Sequence, residues 1–270
     1  IQHERTFKKR LADYPFRVAS ISRFQTLAEQ KAILAEVHRG EVDILIGTHR
    51  ILSQDVSFSR LGLVVIDEEQ RFGVEHKQRL LSIRSEADVL TLTATPIPRT
   101  LHMALLGIRD ISSLQTAPMD RRAVVTQIEN WSKEAIISGI RRELAREGQV
   151  FYVHNRVYDI QDVANEIRKL VPEARVLVGH GQMPPKELEA IMLQFVCGDA
   201  DVLVSTTIIE SGIDIPAANT MFINDPDRFG LSDLHQLRGR VGRYKHRAYC
   251  TLLLPRDRML SSVARKRLYA

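Results

Sequence analysis

Short apolar segments alternate with amphipathic helical segments along most of the chain, and this alternation constrains the fold more than any other feature. The apolar segments are rich in valine, isoleucine and leucine, which is typical of buried parallel strands. Strands are predicted at 17–21, 42–47, 62–67, 88–93, 124–129, 149–154, 175–179, 201–206, 219–223 and 247–254, and helices at 26–39, 75–85, 132–147, 158–170, 185–197 and 231–239. Strands that alternate with helices in this way form βα units around a parallel sheet.

The pattern is interrupted once, at residues 115–123, where Pro118 and neighbouring polar residues indicate a connector. Two α/β domains joined by a short linker are therefore expected. The chain begins without Met, inside a segment with helical spacing, and a helical pattern that starts at Arg258 runs to its last residue without a cap. These ends lead us to expect a fragment of a longer chain.

Composition indicates a globular protein with sizeable cores, since 44% of the 270 residues are hydrophobic. The net charge of +5 fits an anionic partner without requiring one. No apolar stretch has bilayer-spanning length and no signal peptide is recognisable, so we expect a cytoplasmic protein with no membrane partner. Cys197 and Cys250 lack metal-ligand spacing, and both are expected to pack as small apolar residues.

Polar residues follow several predicted strands, at the points where open α/β sheets bind ligands. These residues are Thr48 and His49 after the second strand, Asp67 and Glu68 at the end of the third, Thr93 and Thr95 at the end of the fourth, and Thr206, Thr207, Gly212 and Asp214 at and after the end of the strand at 201–206. Asp67 can hold Mg²⁺ through water, and Glu68 can orient and deprotonate an attacking water. The alternative is that the two carboxylates only complement the dipole of a helix N-terminus.

The string QLRGRVGR at 236–243 sets Gln236 and three arginines among glycines. A guanidinium group is always charged and matches phosphate oxygens in a bidentate fork, while glycine permits tight turns and close approach to a ligand. Taken alone, the string also fits a solvated basic helix end or a general nucleic-acid patch.

In this order, across two α/β halves, these strings resemble the motifs of superfamily 2 helicases, in which two RecA-like domains sandwich ATP. Residues 47–49 resemble motif Ib, 67–70 motif II, 93–95 motif III, 151–155 motif IV, 206–214 motif V and 236–243 motif VI. More narrowly, DEEQRFGVEHK, LTATPIPRTL, GHGQM, TTIIESGIDIP and FGLSDLHQLRGRVGR resemble the bacterial transcription-repair coupling factor family and its relative, the branched-DNA helicase RecG. The residues in DEEQRFGV, GHGQM and ESGIDIP resemble those of the coupling factors more than those of RecG.

The resemblance implies the domain boundaries. Residues 1–117 would be the later part of a first RecA-like domain, and 118–131 the linker and the start of the second domain. Residues 132–255 would complete the second RecA-like domain, and 256–270 would begin a helical hairpin. Each domain is expected to be a mostly parallel sheet flanked by helices.

The resemblance also implies roles for individual residues. Arg240 and Arg243 would act as arginine fingers on ATP, positioned by Gln236, while Gly212 and Asp214 would help to bind the nucleotide. Contacts to the DNA backbone would come from Thr48, His49, Thr206 and Thr207. Thr93 and Thr95 would couple the two sites.

The implied activity is ATP- and Mg²⁺-dependent translocation on double-stranded DNA, with displacement of stalled RNA polymerase during DNA repair. RNA polymerase and nucleotide-excision-repair proteins would be reached through domains outside this chain. Three alternatives remain: a RecG-type helicase that remodels forks, a DNA-binding module without catalysis, and a different P-loop phosphotransferase.

One departure from the family pattern concerns the phosphate-binding loop. The family needs a glycine-rich loop with Gly-Lys-Thr, and no such string occurs in the 270 residues. The resemblance places that loop upstream of Ile1. Without its lysine and backbone amides the β- and γ-phosphates lose their main cradle, so residues 1–270 alone are expected to be inactive as an ATPase.

Overall fold

The computed structural model describes residues 2–22, 25–68, 72–83, 87–93, 110–114, 116, 123–210, 215–243, 246–256 and 259–269. The chain forms two compact units, Ile1–Ser113 and Leu114–Ala270.

The first unit contains two pairs of parallel strands with helices between them. Its elements are α1 (Gln2–Arg10), β1 (Val18–Ile21), α2 (Leu27–His38), β2 (Ile44–Gly47), a 3₁₀ turn (His49–Leu52), β3 (Leu63–Asp67), α3 (Val74–Ile83) and β4 (Asp88–Leu92). β1 pairs with β2, and β3 pairs with β4. Thr26 and Glu29 form a reciprocal capping box at the start of α2, which satisfies two backbone donors there.

The pair β3–β4 differs from the expectation that its strands are buried on both faces. Ile66 is buried, whereas Leu63 and Val65 are 58% and 55% exposed, and Leu90 and Leu92 on β4 are exposed as well. Within the part of the chain that the structure describes, this pair is therefore covered on one face only. An unbroken apolar run cannot reveal such a difference, because both faces are equally apolar in the sequence.

The second unit is built around one six-stranded sheet in which every neighbouring pair is parallel. Its elements are β5 (Val125–Asn130), α4 (Lys133–Leu144), β6 (Gln149–Val153), α5 (Ile160–Leu170), β7 (Val176–Gly179), α6 (Pro185–Cys197), β8 (Val202–Ser205), a 3₁₀ turn (Thr207–Glu210), β9 (Ala218–Asn224), a 3₁₀ turn (Pro226–Arg228), α7 (Leu231–Arg238), β10 (Tyr249–Leu254) and α8 (Ser262–Leu268). The strand order is β5-β10-β9-β6-β8-β7.

Both faces of this sheet are buried, as expected for parallel strands with helices on each side. Successive residues of β6 enter opposite cores, with Phe151 and Val153 in one and Val150 and Tyr152 in the other. Burial raises the pKa of the Tyr152 phenol to about 12. The Tyr152 oxygen accepts a hydrogen bond from the Trp131 indole, at 3.4 Å.

The predicted alternation of strands and helices is confirmed, and most boundaries agree within two residues. The helix predicted at 132–147 is an exception, because α4 ends at Leu144. The packing role predicted for Cys250 is confirmed, since its thiol is buried and burial raises its pKa to about 12. The same prediction is wrong for Cys197, which is exposed at the end of α6. Among the described residues, no helix combines the length and apolar character needed to cross a membrane.

Candidate functional site

The carboxyl ends of β3 and β4 bring three of the predicted site residues together. Asp67, the last residue of β3, lies in register with Leu92 on β4. The backbone N–H of Glu68 donates a hydrogen bond to the carbonyl oxygen of Leu92 at 3.0 Å, and Thr93 follows directly. Parallel pairing thus places Asp67, Glu68 and Thr93 at one edge, which we call the acidic edge. Thr95 lies outside the described residues.

Glu68 adopts a backbone conformation that is unusual for a residue with a side chain. Its φ of 56° lies in the left-handed region. Such a conformation costs roughly 1–3 kcal/mol and is concentrated at functional sites, where the surrounding structure holds it in place. The carboxylate of Asp67 is exposed, and that of Glu68 is half-buried. The residue expected to act as base is therefore held at the edge in a conformation that local preference alone would not select.

The acidic edge fits a magnesium ion that is bound largely by water and phosphate. Among the described residues no group of three or more His, Cys, Asp and Glu side chains could hold a metal. Mg²⁺ in phosphate sites usually keeps several waters and takes only one or two carboxylates from the protein. The exposed carboxylate of Asp67 suits that arrangement.

Thr48 and His49 follow β2, and both are exposed. Thr48 immediately precedes the 3₁₀ turn His49–Leu52. The space around the preceding Gly47 is too small for a side chain, because a Cβ there would lie 2.6 Å from the carbonyl oxygen of Ile21 and 2.7 Å from Ile51. The small residue therefore lets β2 and the turn pack against β1, and the two polar side chains after it are left at the surface.

Arg50 fixes the shape of this turn. Its guanidinium donates to both carboxylate oxygens of Asp55, at 2.7 and 2.6 Å, and to the side-chain oxygen of Gln30 at 2.9 Å. The hydrogen bonds from Arg50 lower the pKa of the Asp55 carboxyl below its usual value. Arg50 therefore has a structural role in this turn, whereas Thr48 and His49 are exposed.

In the second unit, Thr206 and Thr207 follow β8 and are half-buried. The backbone N–H of Thr206 donates to the carbonyl oxygen of Gly179 at 3.4 Å, and Thr207 begins a 3₁₀ turn. The two hydroxyl residues therefore lie at the carboxyl ends of β7 and β8. Gly212 and Asp214 lie outside the described residues.

The string QLRGRVGR forms the end of α7 and a tight turn after it. Gln236 is half-buried on α7, and the backbone N–H of Arg240 donates to the Leu237 carbonyl oxygen at 2.8 Å. Val241 is fully buried and anchors the turn, while Gly242 has a φ of 73°. Gly242, the second glycine of the string, therefore has a backbone conformation that favours glycine.

Arg240 and Arg243 are both half-buried on this turn. The Arg243 Nε donates to the Gly239 carbonyl oxygen at 3.4 Å, which ties its side chain back to the end of α7. The turn therefore holds the two arginines and Gln236 on one short, anchored segment.

A polar crevice lies where β6 and β9 end side by side. The chain leaves β6 towards β7 and leaves β9 towards β10, so the connections run in opposite directions, and such points form ligand crevices in α/β sheets. The crevice has a volume of about 330 Å³. His154 contacts Asp159 at 2.7 Å and Asn224 at 3.0 Å, and Arg156 donates to Asp225 at 2.6 Å.

Sequence reasoning noted His154 as part of motif IV but missed Arg156 and Asp225. Their positions after two predicted strand ends could have identified them. It also missed Phe72 and His76, whose rings contact His49.

Comparison with known proteins places these sites in a family context. Residues 1–104 match the DEAD/DEAH box helicase model, and residues 131–245 match the helicase conserved C-terminal domain. Over 269 residues the chain is 52% identical to the transcription-repair-coupling factor of Bacillus subtilis (strain 168) and 52% identical to that of Escherichia coli (strain K12). Both alignments include all of this chain, which spans 23% of each relative.

A solved structure of RecG bound to a three-way DNA junction superposes with a TM-score of 0.75 at 36% identity. The superposition covers 99% of this chain and 36% of the RecG chain. The expected fold of two RecA-like helicase domains is therefore confirmed.

The acidic edge generates a prediction about two neighbouring substitutions in the full-length protein. Glu68→Gln should retain Mg-ATP binding but lower ATP turnover by about a hundredfold or more, because it removes a base and keeps the side-chain size. Asp67→Asn should instead weaken Mg-ATP binding. Nucleotide dissociation constants and kcat, measured for both variants, would check this. Normal turnover in both would show that the two carboxylates have no role in ATP hydrolysis.

Proposed function

The chain belongs to the family of the transcription-repair-coupling factors, and from this premise we propose that it forms the ATP-dependent translocase module of a protein that moves on double-stranded DNA and displaces stalled RNA polymerase. The observation that supports the catalytic part most directly is the acidic edge, where Glu68 is held with a φ of 56° beside Asp67. A DNA-binding module without catalysis gives no reason for two neighbouring carboxylates at this edge.

Roles in ATP hydrolysis are assigned residue by residue. Asp67 would hold Mg²⁺, which neutralises charge on the phosphate oxygens when bound. Glu68 accepts the proton of the attacking water, and Gly212 and Asp214 contribute to nucleotide binding. Arg240 and Arg243 stabilise negative charge that develops during phosphoryl transfer, with Gln236 positioning them. The anchored turn after α7 suits this role because Val241 and Gly242 restrict the backbone that carries both arginines.

DNA binding is assigned to the exposed or half-buried hydroxyl and ring groups after β2 and β8. Thr48, His49, Thr206 and Thr207 contact phosphates, which position a duplex but do not read its sequence. Thr93 and Thr95 link these contacts to ATP hydrolysis, and Thr93 directly follows the Leu92 carbonyl that fixes Glu68. Because residues 1–270 contain no Gly-Lys-Thr string, we propose that ATP turnover requires additional residues that supply the phosphate-binding loop.

We assign the binding of RNA polymerase and of nucleotide-excision-repair proteins to the regions of the coupling factors that lie outside the part aligned with this chain. Among the relatives compared, identity is 52% with coupling factors and 36% with RecG, which favours polymerase displacement over fork remodelling.

The test of this proposal uses the full-length protein and RNA polymerase stalled on a DNA template. ATP should cause release of the transcript, and Glu68→Gln should abolish that release. The control is a three-way DNA junction without polymerase, on which little strand rearrangement is expected. Efficient junction remodelling without polymerase release would support the RecG-type alternative and contradict the proposal.

The turn after α7 generates a second prediction. In the full-length protein, Arg243→Ala should lower ATP turnover by about a hundredfold or more, because an arginine finger acts on charge in the transition state. Nucleotide and DNA affinities should change by only a few-fold, and Arg240→Ala should behave in the same way.

The matched control is Arg141→Ala, which removes an exposed arginine whose ion pair with Glu173 lies on the surface. Turnover and DNA dissociation constants would be measured side by side for all three variants. A loss of DNA affinity in proportion to the loss of rate would assign the arginines to a nucleic-acid patch.

The assignment of DNA contacts to phosphate-binding groups generates a third prediction. Affinity of the full-length protein should fall by roughly tenfold or more between about 50 and about 200 mM salt, and it should vary by less than about threefold among duplexes of different sequence. Fluorescence anisotropy with several duplexes would measure both effects. Strong preference for one duplex sequence would contradict the assignment.

A further inference from the structure

Two loops of the second unit are joined where β6 and β9 end side by side. Arg156, in the loop after β6, donates to the carboxylate of Asp225 at 2.6 Å, and Asp225 directly follows β9. The side chains of His154 and Asn224, at the ends of the same two strands, form a hydrogen bond at 3.0 Å. We call these four residues the loop junction. His154 and Asp225 are buried, with 3% and 9% of their surface exposed.

The loop after β6 is itself held in place by two further contacts. The backbone N–H of His154 donates to the carbonyl oxygen of Ser205, the last residue of β8, at 2.8 Å. The Nε2 atom of the His154 ring lies 2.7 Å from the carboxylate of Asp159, which immediately precedes α5. Arg156 is therefore carried by a loop that is fixed to a strand and to a helix, and this loop gives Asp225 a firm partner.

Asp225 has a backbone conformation that needs such a partner. Its φ of 50° lies in the left-handed region, which is costly for a residue with a side chain, although aspartate adopts it more readily than most. The ion pair is no simple gain in stability either, because the removal of two charges from water offsets much of their attraction. The best-attested role of buried polar groups is to select one arrangement of the chain. The loop junction is therefore better explained by the position that it imposes on Asp225 than by its contribution to stability.

The segment that follows Asp225 carries the two candidate arginine fingers, and all of residues 225–243 are described. The segment passes through the 3₁₀ turn Pro226–Arg228, and the Gly230 N–H then donates to the carboxylate of Asp233 at 3.0 Å, where α7 begins. α7 leads directly into the turn that holds both arginines. The buried apolar side chains of this segment belong to one core: Phe229, Leu234, Leu237 and Val241.

Directional contacts at the start of this segment complement that core. Hydrophobic burial is non-directional, so it sets the exact position of α7 less sharply than hydrogen bonds do, since their geometry is narrow. The turn before α7 has two such contacts, one from Arg156 to Asp225 and one from Arg267 on α8 to the Asp227 carbonyl oxygen at 2.7 Å. Loss of the first would release the left-handed residue from which the segment starts.

We propose that Arg156 and Asp225 are positioning residues for Arg240 and Arg243. Their ion pair fixes the start of α7 and thereby the turn that carries both arginines. This inference rests on the proposed function, since it takes the two arginines as groups that act on ATP. Arg156 and Asp225 themselves touch neither ATP nor DNA. A misplacement of about 1 Å can lower a rate by about a hundredfold, so a smaller shift of the turn is enough to be measured.

The test measures ATP turnover, nucleotide and DNA affinity and thermal stability of the full-length protein. Arg156→Ala and Asp225→Ala should each lower kcat by about tenfold, while both dissociation constants stay within about twofold. Asp225→Asn should keep kcat within about twofold of the wild-type value. Asparagine also adopts the left-handed conformation, and its side-chain oxygen still accepts the hydrogen bond from Arg156.

A combined variant separates positioning from a general structural role. In an Arg243→Ala background, Arg156→Ala should lower kcat by less than about twofold further, because residues that act as a unit are not additive. Full additivity of the two losses would overturn the inference. Unchanged turnover in Arg156→Ala and Asp225→Ala would also overturn it, as would an equal loss in Asp225→Asn and Asp225→Ala. A loss of DNA affinity in Arg156→Ala that matches its loss of rate would instead make Arg156 a DNA contact.

The matched control is Arg175→Ala. Arg175 pairs with Asp201 at 2.7 Å, just before β7 and β8 begin and thus at the opposite end of the sheet. The Asp201 side chain is 16% exposed and that of Asp225 is 12% exposed, so both substitutions leave a largely buried carboxylate without its arginine. Assayed well below the melting temperature of every variant, Arg175→Ala should leave kcat unchanged. A tenfold loss in this control would show that any broken ion pair of the unit lowers turnover, and the inference would fail.

Arg243→Ala alone separates the inference from its premise. If it had no effect on turnover, the proposed role of the arginines would fail and the inference would fail with it. If Arg243→Ala lowered turnover and the Arg156 and Asp225 variants did not, only the inference would be wrong.

Discussion

The hydrogen-bond register of parallel strands is the constraint on which the candidate sites depend. Parallel pairing aligns strand ends, so residues that follow different strands meet at one edge although they are far apart in the sequence. At the acidic edge, Asp67 is placed by its register with Leu92, and Glu68 by a backbone hydrogen bond to the same residue. The same rule places Thr206 beside the end of β7.

Most of the fold was predictable because buried parallel strands have unbroken apolar runs and the helices between them have clear amphipathic spacing. The helix predicted at 132–147 extends beyond the end of α4, and this difference shows where such patterns are no longer informative. Glu143 is fully buried and accepts hydrogen bonds from Thr220 at 2.6 Å and Arg146 at 2.6 Å. A Cβ on Gly148 would lie 1.9 Å from Glu143, so a tertiary network shapes this region. No local propensity encodes a partner 77 residues away.

The candidate site was predictable to the extent that it follows strand ends. The positions of Thr48, Asp67, Glu68 and Thr206 at strand ends were predicted in this way, while their roles stay predictions, and the turn at Gly242 followed from its composition. The contact of His49 with Phe72 was not predictable, because it depends on how two loops approach each other in space. The ion pair of Arg156 with Asp225 joins residues 69 positions apart and was missed for the same reason.

The left-handed backbone of Glu68 makes the geometry of the acidic edge depend on the contacts around it. A left-handed conformation with a side chain persists only where surrounding contacts hold it. Here one of those contacts is the bond from the Glu68 N–H to the carbonyl of Leu92, and the next residue is Thr93. A shift at the end of β4 therefore changes the restraint on Glu68 and the position of Thr93 together.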